Sequence, residues 1–366
     1  MFHSLLCRAG TQPDKPLFDA GWTRAVCVGQ NIVSGRSHGP GPAFGVNDFQ
    51  QVFSMKSRHD GTAVDVLPPT TQGGGTPFDD LGLAVSCREP LSHHTWLGIG
   101  GEAGYFCEPV DVEALSRLIT RCHAERIPFR VIGGGSNILV PSAGFPGLVV
   151  RLSAPAFSRI DVERPMLRVG AGAKLVHAVS AAVQAGLSGL ETLVGIPGTV
   201  GGALVGNAGG HGGDIGECVR EVSVMLPDGT TETRSGSQLA FESRWSNLDD
   251  CIIISCRFEL DLEDPERLTK RMQKQWIVSR SEQPSGTRSV AMMFKDPHGS
   301  SAESLIVQAG GRDLRVGEAA VYAAHANYMV ASSKCPSDDV RALIELVRAK
   351  VRERLGVELT PQIEVW

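Results

Sequence analysis

No stretch of this chain approaches the ~18 consecutive apolar residues of a membrane-spanning helix, so no span is expected. Met1 to Cys7 is short, apolar and without a basic region, so a secretory leader is not expected either. A stripe of one charge sign is also missing. The net charge is −5 with both signs interspersed, which argues against nucleic acid as a partner. The nine cysteines form no CxxC pair and no Cys/His cluster with metal spacing, so they read as free thiols of a reducing cytoplasm, with no metal site. No GxGxxG with an acidic residue ~20 positions on is present, which argues against a Rossmann dinucleotide unit.

What is there begins with length. At 366 residues the chain can hold two or three domains, at roughly 100–200 residues each. Its 20% charged and 42% hydrophobic residues are those of a soluble globular protein. Residues 1 to 80 differ from the rest: Gly39-Pro40-Gly41-Pro42 and Gly73-Gly74-Gly75 recur with weak hydrophobic periodicity. Such a segment buries too little apolar surface to offset chain entropy. It reads as a disordered extension, or as an upstream stretch without a role.

From about Phe78 onward the pattern changes. Helical spacing predicts helices over Val112–Arg126, Leu175–Gln184, Asp264–Ser281, Ser301–Ala309 and Ser337–Leu355. Strands are predicted at Phe129–Ile132, Gly147–Leu152, Met166–Val169, Glu221–Leu226 and Cys251–Leu260. Strands and helices mixed without regular βα alternation indicate an α+β fold.

Two glycine-rich loops interrupt these elements. Gly133-Gly134-Gly135-Ser136-Asn137 follows a strand and would present several amide donors to a diphosphate. Alone, such a triplet is more often a tight turn. Gly195-Ile196-Pro197-Gly198-Thr199-Val200-Gly201-Gly202-Ala203, continuing to Asn207, is more specific. So many glycines lower stability unless the backbone lies against something flat or charged.

The run His94-Thr95 with Gly100-Gly101, the two loops, Phe241-Glu242-Ser243-Arg244, Phe294-Lys295-Asp296-Pro297, His325-Ala326-Asn327-Tyr328 and Leu359-Thr360-Pro361-Gln362-Ile363 resembles the UDP-N-acetylenolpyruvoylglucosamine reductase family, in the same order and over about residues 80 to 366. The short separation between Arg244 and Phe294 is similar to the family's shorter variant. The resemblance implies a two-part FAD-binding region of the vanillyl-alcohol-oxidase type, at 81–152 and 153–262, and a C-terminal α+β substrate domain at 263–366. It implies non-covalent FAD held by Gly133, Gly134, Gly135, Ser136, Asn137, Gly195, Ile196, Pro197, Gly198, Thr199, Gly201, Gly202, Ala203 and Asn207. It further implies NADPH as reductant and a UDP-sugar as substrate, in a cytoplasmic monomer that makes peptidoglycan precursors.

In the family an arginine and a glutamate stabilise an enolate and a serine protonates it on carbon. The arginine maps to Arg244, whose guanidinium suits a carboxylate. The serine maps to Met292, a thioether with no exchangeable proton, and the glutamate maps to Gln362, an uncharged amide. Glu364 and Ser289 are the nearest candidates to replace them. Arg280 and Lys295 would meet the diphosphate, or are solvated charges, while Asp296 adds negative charge where an asparagine is expected. His325 and Asn327 read as a structural pair, and His211 as a loop histidine. Three readings are open: an active reductase with a re-routed proton, a non-catalytic binding or scaffold descendant that keeps FAD with or without the UDP-sugar, or a flavin oxidoreductase with another substrate.

Overall fold

The computed structural model describes residues 75–366 except 211, 282 and 285–288, and all of these fall in one compact unit. Of the extension expected over residues 1–80, the part up to 74 lies outside the described residues. Within residues 75–80, Phe78 is fully buried and meets the Tyr105 ring edge-on at 5.3 Å.

The first group of elements is β1 (Val85–Pro90), β2 (Glu102–Cys107), α1 (Val112–Glu125), β3 (Phe129–Ile132), β4 (Ile138–Leu139) and β5 (Phe145–Arg151). Four strands form a sheet in the order β1-β2-β5-β3, in which β2 and β3 run parallel to β5 and β1 runs antiparallel to β2. Period-two alternation gives β2 and β5 two buried faces. Tyr105, Cys107, Leu148 and Val150 share a core with Leu115, Leu118, Ile119 and Cys122 of α1, whereas Phe106 and Val149 join a smaller cluster on the opposite face. Asp111 caps α1 by accepting from Ala114 N at 2.8 Å, and Arg126 ends it in the left-handed conformation.

The middle group is β6 (Ile160–Glu163), β7 (Met166–Gly170), α2 (Leu175–Gln184), α3 (Val200–Val205), β8 (Val219–Met225), β9 (Thr231–Ser235), β10 (Phe241–Glu242), β11 (Trp245–Ser246) and β12 (Ile252–Glu259). An antiparallel sheet runs β9-β8-β12-β7-β6. Ala178, Val179 and Ala182 of α2 pack in the same core as Leu167, Val169, Val222 and Val224. Small residues at these helical positions let α2 lie close to the sheet. β10 and β11 form a hairpin of their own, closed by Ser243-Arg244.

The last group is α4 (Pro265–Ser281), β13 (Val290–Met292), α5 (Ala302–Gln308), β14 (Arg315–Val316), β15 (Ala319–Val321), β16 (Tyr328–Ala331), α6 (Ser337–Leu355) and β17 (Glu364–Val365). An antiparallel sheet orders β13-β16-β15-β14. α6 buries Val340, Leu343, Ile344, Val347 and Val351 in a core with Met293, Phe294 and Met329. The chain then returns, and β17 pairs in parallel with β4, Glu364 opposite Ile138. That return carries residue 362 to the first glycine loop.

Candidate active site

β3 runs straight into Gly133, and the first glycine loop is held from outside. Trp96 N donates to Gly135 O at 2.8 Å, and Ser289 N donates to Trp96 O at 2.8 Å. The His94-Thr95-Trp96 run therefore ties the loop to the segment leading into β13. The second loop abuts the first. Ser136 Oγ donates to Pro197 O at 3.3 Å, and a Cβ on Gly134 would stand 2.7 Å from Gly198 Cα. Glycine is needed here for loop-to-loop contact before any ligand is considered. Among the described residues, nothing pairs with the backbone N–H groups of Gly134, Gly135 and Ser136. Consecutive unpaired amides form a concavity suited to an anion.

The second loop spends its amides differently. Val200 N donates to Ala173 O at 2.9 Å and Gly201 N to Ala171 O at 2.8 Å, which moors the loop below α2. Thr199 caps α3 by accepting from Gly202 N at 3.4 Å, and Ala203 is buried within that helix. Gly195 and Ile196 lead into Pro197, and Gln283 Nε2 reaches Gly195 O at 3.4 Å. Gly202 is the informative glycine. It is exposed, its φ is not positive, and an added Cβ would meet nothing closer than Thr199 Oγ1 at 3.6 Å. Nothing in the protein requires a glycine at this position in the first turn of α3, where alanine is worth up to about 1 kcal/mol more. A ligand lying against the backbone would account for it. Open amides on one loop and bare backbone on the other fit the diphosphate and flat ring of FAD.

Asn207, expected to touch the cofactor, is 3% exposed and turned toward the Arg244 hairpin. Its Nδ2 donates to Glu242 O at 2.8 Å and its Oδ1 accepts from Gly216 N at 3.0 Å. Arg244 itself has φ 57°, a left-handed backbone that costs a non-glycine residue roughly 1–2 kcal/mol. Lys295, expected at the diphosphate, places its Nζ 3.0 Å from Arg244 O as a donor. Sequence reading did not anticipate either contact, because each joins segments far apart in the chain.

The two substituted positions come together. Met292 pairs with Tyr328, and Gln362 N donates to Met293 O at 2.8 Å, beside the Phe294–Pro361 bridge. Asn137 of the first loop holds the segment around Gln362: Nδ2 donates to Gln362 O at 2.9 Å, and Asn137 O accepts from Glu364 N at 3.0 Å. Asn327 is buried and clamps Phe294 at both backbone atoms, at 3.0 and 2.9 Å, a structural role.

Of the two candidate replacements, Glu364 is engaged by another charge and Ser289 is fixed through its backbone. Glu364 pairs with Arg130, Oε1 to Nη1 at 3.2 Å, and Arg130 in turn lies over the Phe145 and Trp366 rings. Desolvation raises the Glu364 carboxyl pKa, Arg130 opposes the rise and Asp249 adds to it. Half of the side chain is still open to solvent. Ser289 has φ 79° and sits at the start of β13, with its carbonyl accepting from Ala331 N at 3.0 Å.

The outlying candidates do other work. Arg280 is exposed, with its guanidinium 5.9 Å from the Trp276 ring centre. Asp296 Oδ1 accepts from Ala302 N at 2.7 Å, at the start of α5. His325 stacks on Tyr322 at 6.0 Å and does not bond Asn327, so the expected pair is two separate contacts. His211 lies outside the described residues. Burial pushes the thiols of Cys107 and Cys218 up to about 11 and those of Cys122 and Cys251 to about 12, so none of these is a nucleophile at neutral pH. No group that could hold a metal ion occurs among the described residues. No described helix is long and apolar enough to cross a membrane.

Comparison with known proteins gives two family matches. Residues 103–235 match an FAD-binding domain, and residues 283–366 match the C-terminal domain of UDP-N-acetylenolpyruvoylglucosamine reductase. The chain is 40% identical to the Rhodopirellula baltica protein of that name over 288 residues, 79% of this chain and 94% of that one. It is 38% identical to UDP-N-acetylenolpyruvoylglucosamine reductase 2 of Symbiobacterium thermophilum over 280 residues, 76% and 91% of the two chains. A crystal structure of the reductase from Thermus caldophilus superposes with a TM-score of 0.67 at 35% identity, covering 78% of this chain and 99% of that one.

Proposed function

Because the chain belongs to the UDP-N-acetylenolpyruvoylglucosamine reductase family, we propose that it holds FAD non-covalently across its two glycine loops and receives an enolpyruvyl-bearing UDP-sugar beside Arg244. NADPH as reductant and a cytoplasmic monomer complete the reading, as the family resemblance implies. The three-part division at 81–152, 153–262 and 263–366 is supported by the three larger sheets, each of which draws its strands from one of those segments. One observation carries the proposal. Asn137, a loop residue, bonds the C-terminal segment at Gln362, and that segment bonds the one bearing Met292.

Bound FAD supplies the two-electron carrier between a nicotinamide and the substrate double bond. The chain's own residues govern the charge and the proton. Arg244 offers a permanent cation to the substrate carboxylate and to the negative charge that spreads onto it. Gln362 can donate a hydrogen bond to that charge but cannot neutralise it. Met292 has no proton for the carbon, so protonation falls to water. Losing a positioned acid costs about a hundred- to ten-thousand-fold. Binding is retained and carbon protonation is slowed; the commitment of Glu364 to Arg130 favours this over a re-routed proton.

Three additions to the purified protein test the proposal. Its visible absorbance reports flavin, NADPH reports reduction, and the enolpyruvyl-UDP-sugar reports reoxidation. Flavin that reduces and is reoxidised slowly by the substrate supports the proposal. Flavin that reduces but ignores the substrate points to another acceptor, and protein that never binds flavin contradicts the proposal.

A further inference from the structure

We propose that Lys295 is a positioning residue for Arg244, fixing the turn that aims the guanidinium. The proposal rests on the reading that Arg244 meets the substrate carboxylate. Arg244 occupies the second position of a two-residue turn between the paired residues Glu242 and Trp245, with φ 57°. A non-glycine residue keeps that conformation only when its surroundings over-determine it. Here both ends of the turn are held. Asn207, buried beside the second glycine loop, donates to Glu242 O at 2.8 Å. Lys295 Nζ donates to Arg244 O at 3.0 Å. The second bond carries a full charge on the donor and is the stronger kind.

Lys295 is itself on a rigid mount. Its N–H donates to Thr360 O at 2.9 Å, and the preceding Phe294 is clamped by Asn327 and bridged to Pro361. The segment that carries Met292 and faces Gln362 is therefore the same one that pins Arg244. Release of the carbonyl would let the turn relax toward a right-handed or extended backbone and swing the guanidinium off its target. Met292 and Gln362 are registered to each other through the backbone, and the Lys295 ammonium ties Arg244 to the same segment.

Hydrogen exchange on the flavin-loaded protein reads the turn without substrate. Lys295→Met should speed exchange of residues 241–246 about tenfold, the loss expected from one charge-assisted hydrogen bond, while Lys295→Arg restores most of the protection. Unchanged exchange in Lys295→Met overturns the proposal. Equilibrium binding separates the positioning role from direct contact with phosphate. If Lys295 acts through Arg244, Lys295→Met weakens the enolpyruvyl-UDP-sugar about tenfold but leaves UDP-GlcNAc, which shares the diphosphate and lacks the carboxylate, nearly unchanged. The loss also vanishes in an Arg244→Gln background. Equal losses for both ligands, in either background, overturn the proposal. Wild-type protein that binds neither sugar contradicts the substrate reading instead, and the exchange result then decides the role of Lys295 alone.

Discussion

Asn137 holds the backbone around Gln362 at two points: its Nδ2 donates to Gln362 O at 2.9 Å, and its carbonyl accepts from Glu364 N at 3.0 Å. A residue of the first glycine loop thus fixes the segment bearing a catalytic position of the family. Asn137→Ala removes the first bond and keeps the second. The expected result is a stability loss of about 0.5–1.5 kcal/mol in denaturant titration, together with faster exchange at residues 362–365. A variant that loses stability without any local change at the C-terminal strand would mean the bond does not position that strand.

Gly134 and Gly202 are glycines for different reasons, and alanine separates them. Gly134→Ala puts a Cβ 2.7 Å from Gly198 Cα and forces the two loops apart, so both stability and FAD affinity should fall. Gly202→Ala brings its Cβ no closer than 3.6 Å to any neighbour. It should raise the stability of the flavin-free protein by up to about 1 kcal/mol, and it should weaken FAD about tenfold or more, which calorimetry resolves. Unchanged FAD affinity in Gly202→Ala would show that no ligand approaches that backbone.

The fold was largely legible because its helices are strongly patterned. Leu115, Leu118, Ile119 and Cys122 predict α1, and the structure places it at Val112–Glu125; α2 and α6 fall on their predicted bounds. β1 and β2 were not expected. Val85–Pro90 is largely exposed and shows no apolar alternation, and β2 is apolar on both faces, so neither carries a period-two signal. The short strands of the third sheet are two to four residues each and owe their existence to pairing rather than to local propensity. In the site, glycine loops and the Phe-x-x-Arg turn were visible as motifs. The bonds of Asn207 to Glu242, Lys295 to Arg244 and Arg130 to Glu364 were not, because chain separations of 35, 51 and 234 residues leave no trace in a single sequence.

Glu364 gives a pH-dependent prediction whose sign comes from its surroundings. Desolvation raises its folded-state pKa above the ordinary value of 4.5, against the opposing Arg130. The folded protein then holds the proton more tightly than the unfolded chain. The favourable contribution is full below the ordinary carboxyl range and is lost as pH rises through the raised value. Glu364→Gln should therefore gain thermal stability relative to wild type as pH rises from about 4.5 to 7. The effect is small because the side chain is half exposed. A relative loss over the same range would mean that the Arg130 ion pair outweighs desolvation.

Met292 and Gln362, and not the binding site, are proposed to limit the chemistry. Single-turnover reoxidation of the NADPH-reduced protein by the enolpyruvyl-UDP-sugar tests this most directly, comparing wild type with the double variant Met292→Ser, Gln362→Glu. The expected result is a gain of about a hundredfold or more in the rate of product formation, with substrate affinity little changed. No gain, with flavin still bound and reducible, would contradict it and place the defect in the substrate site itself.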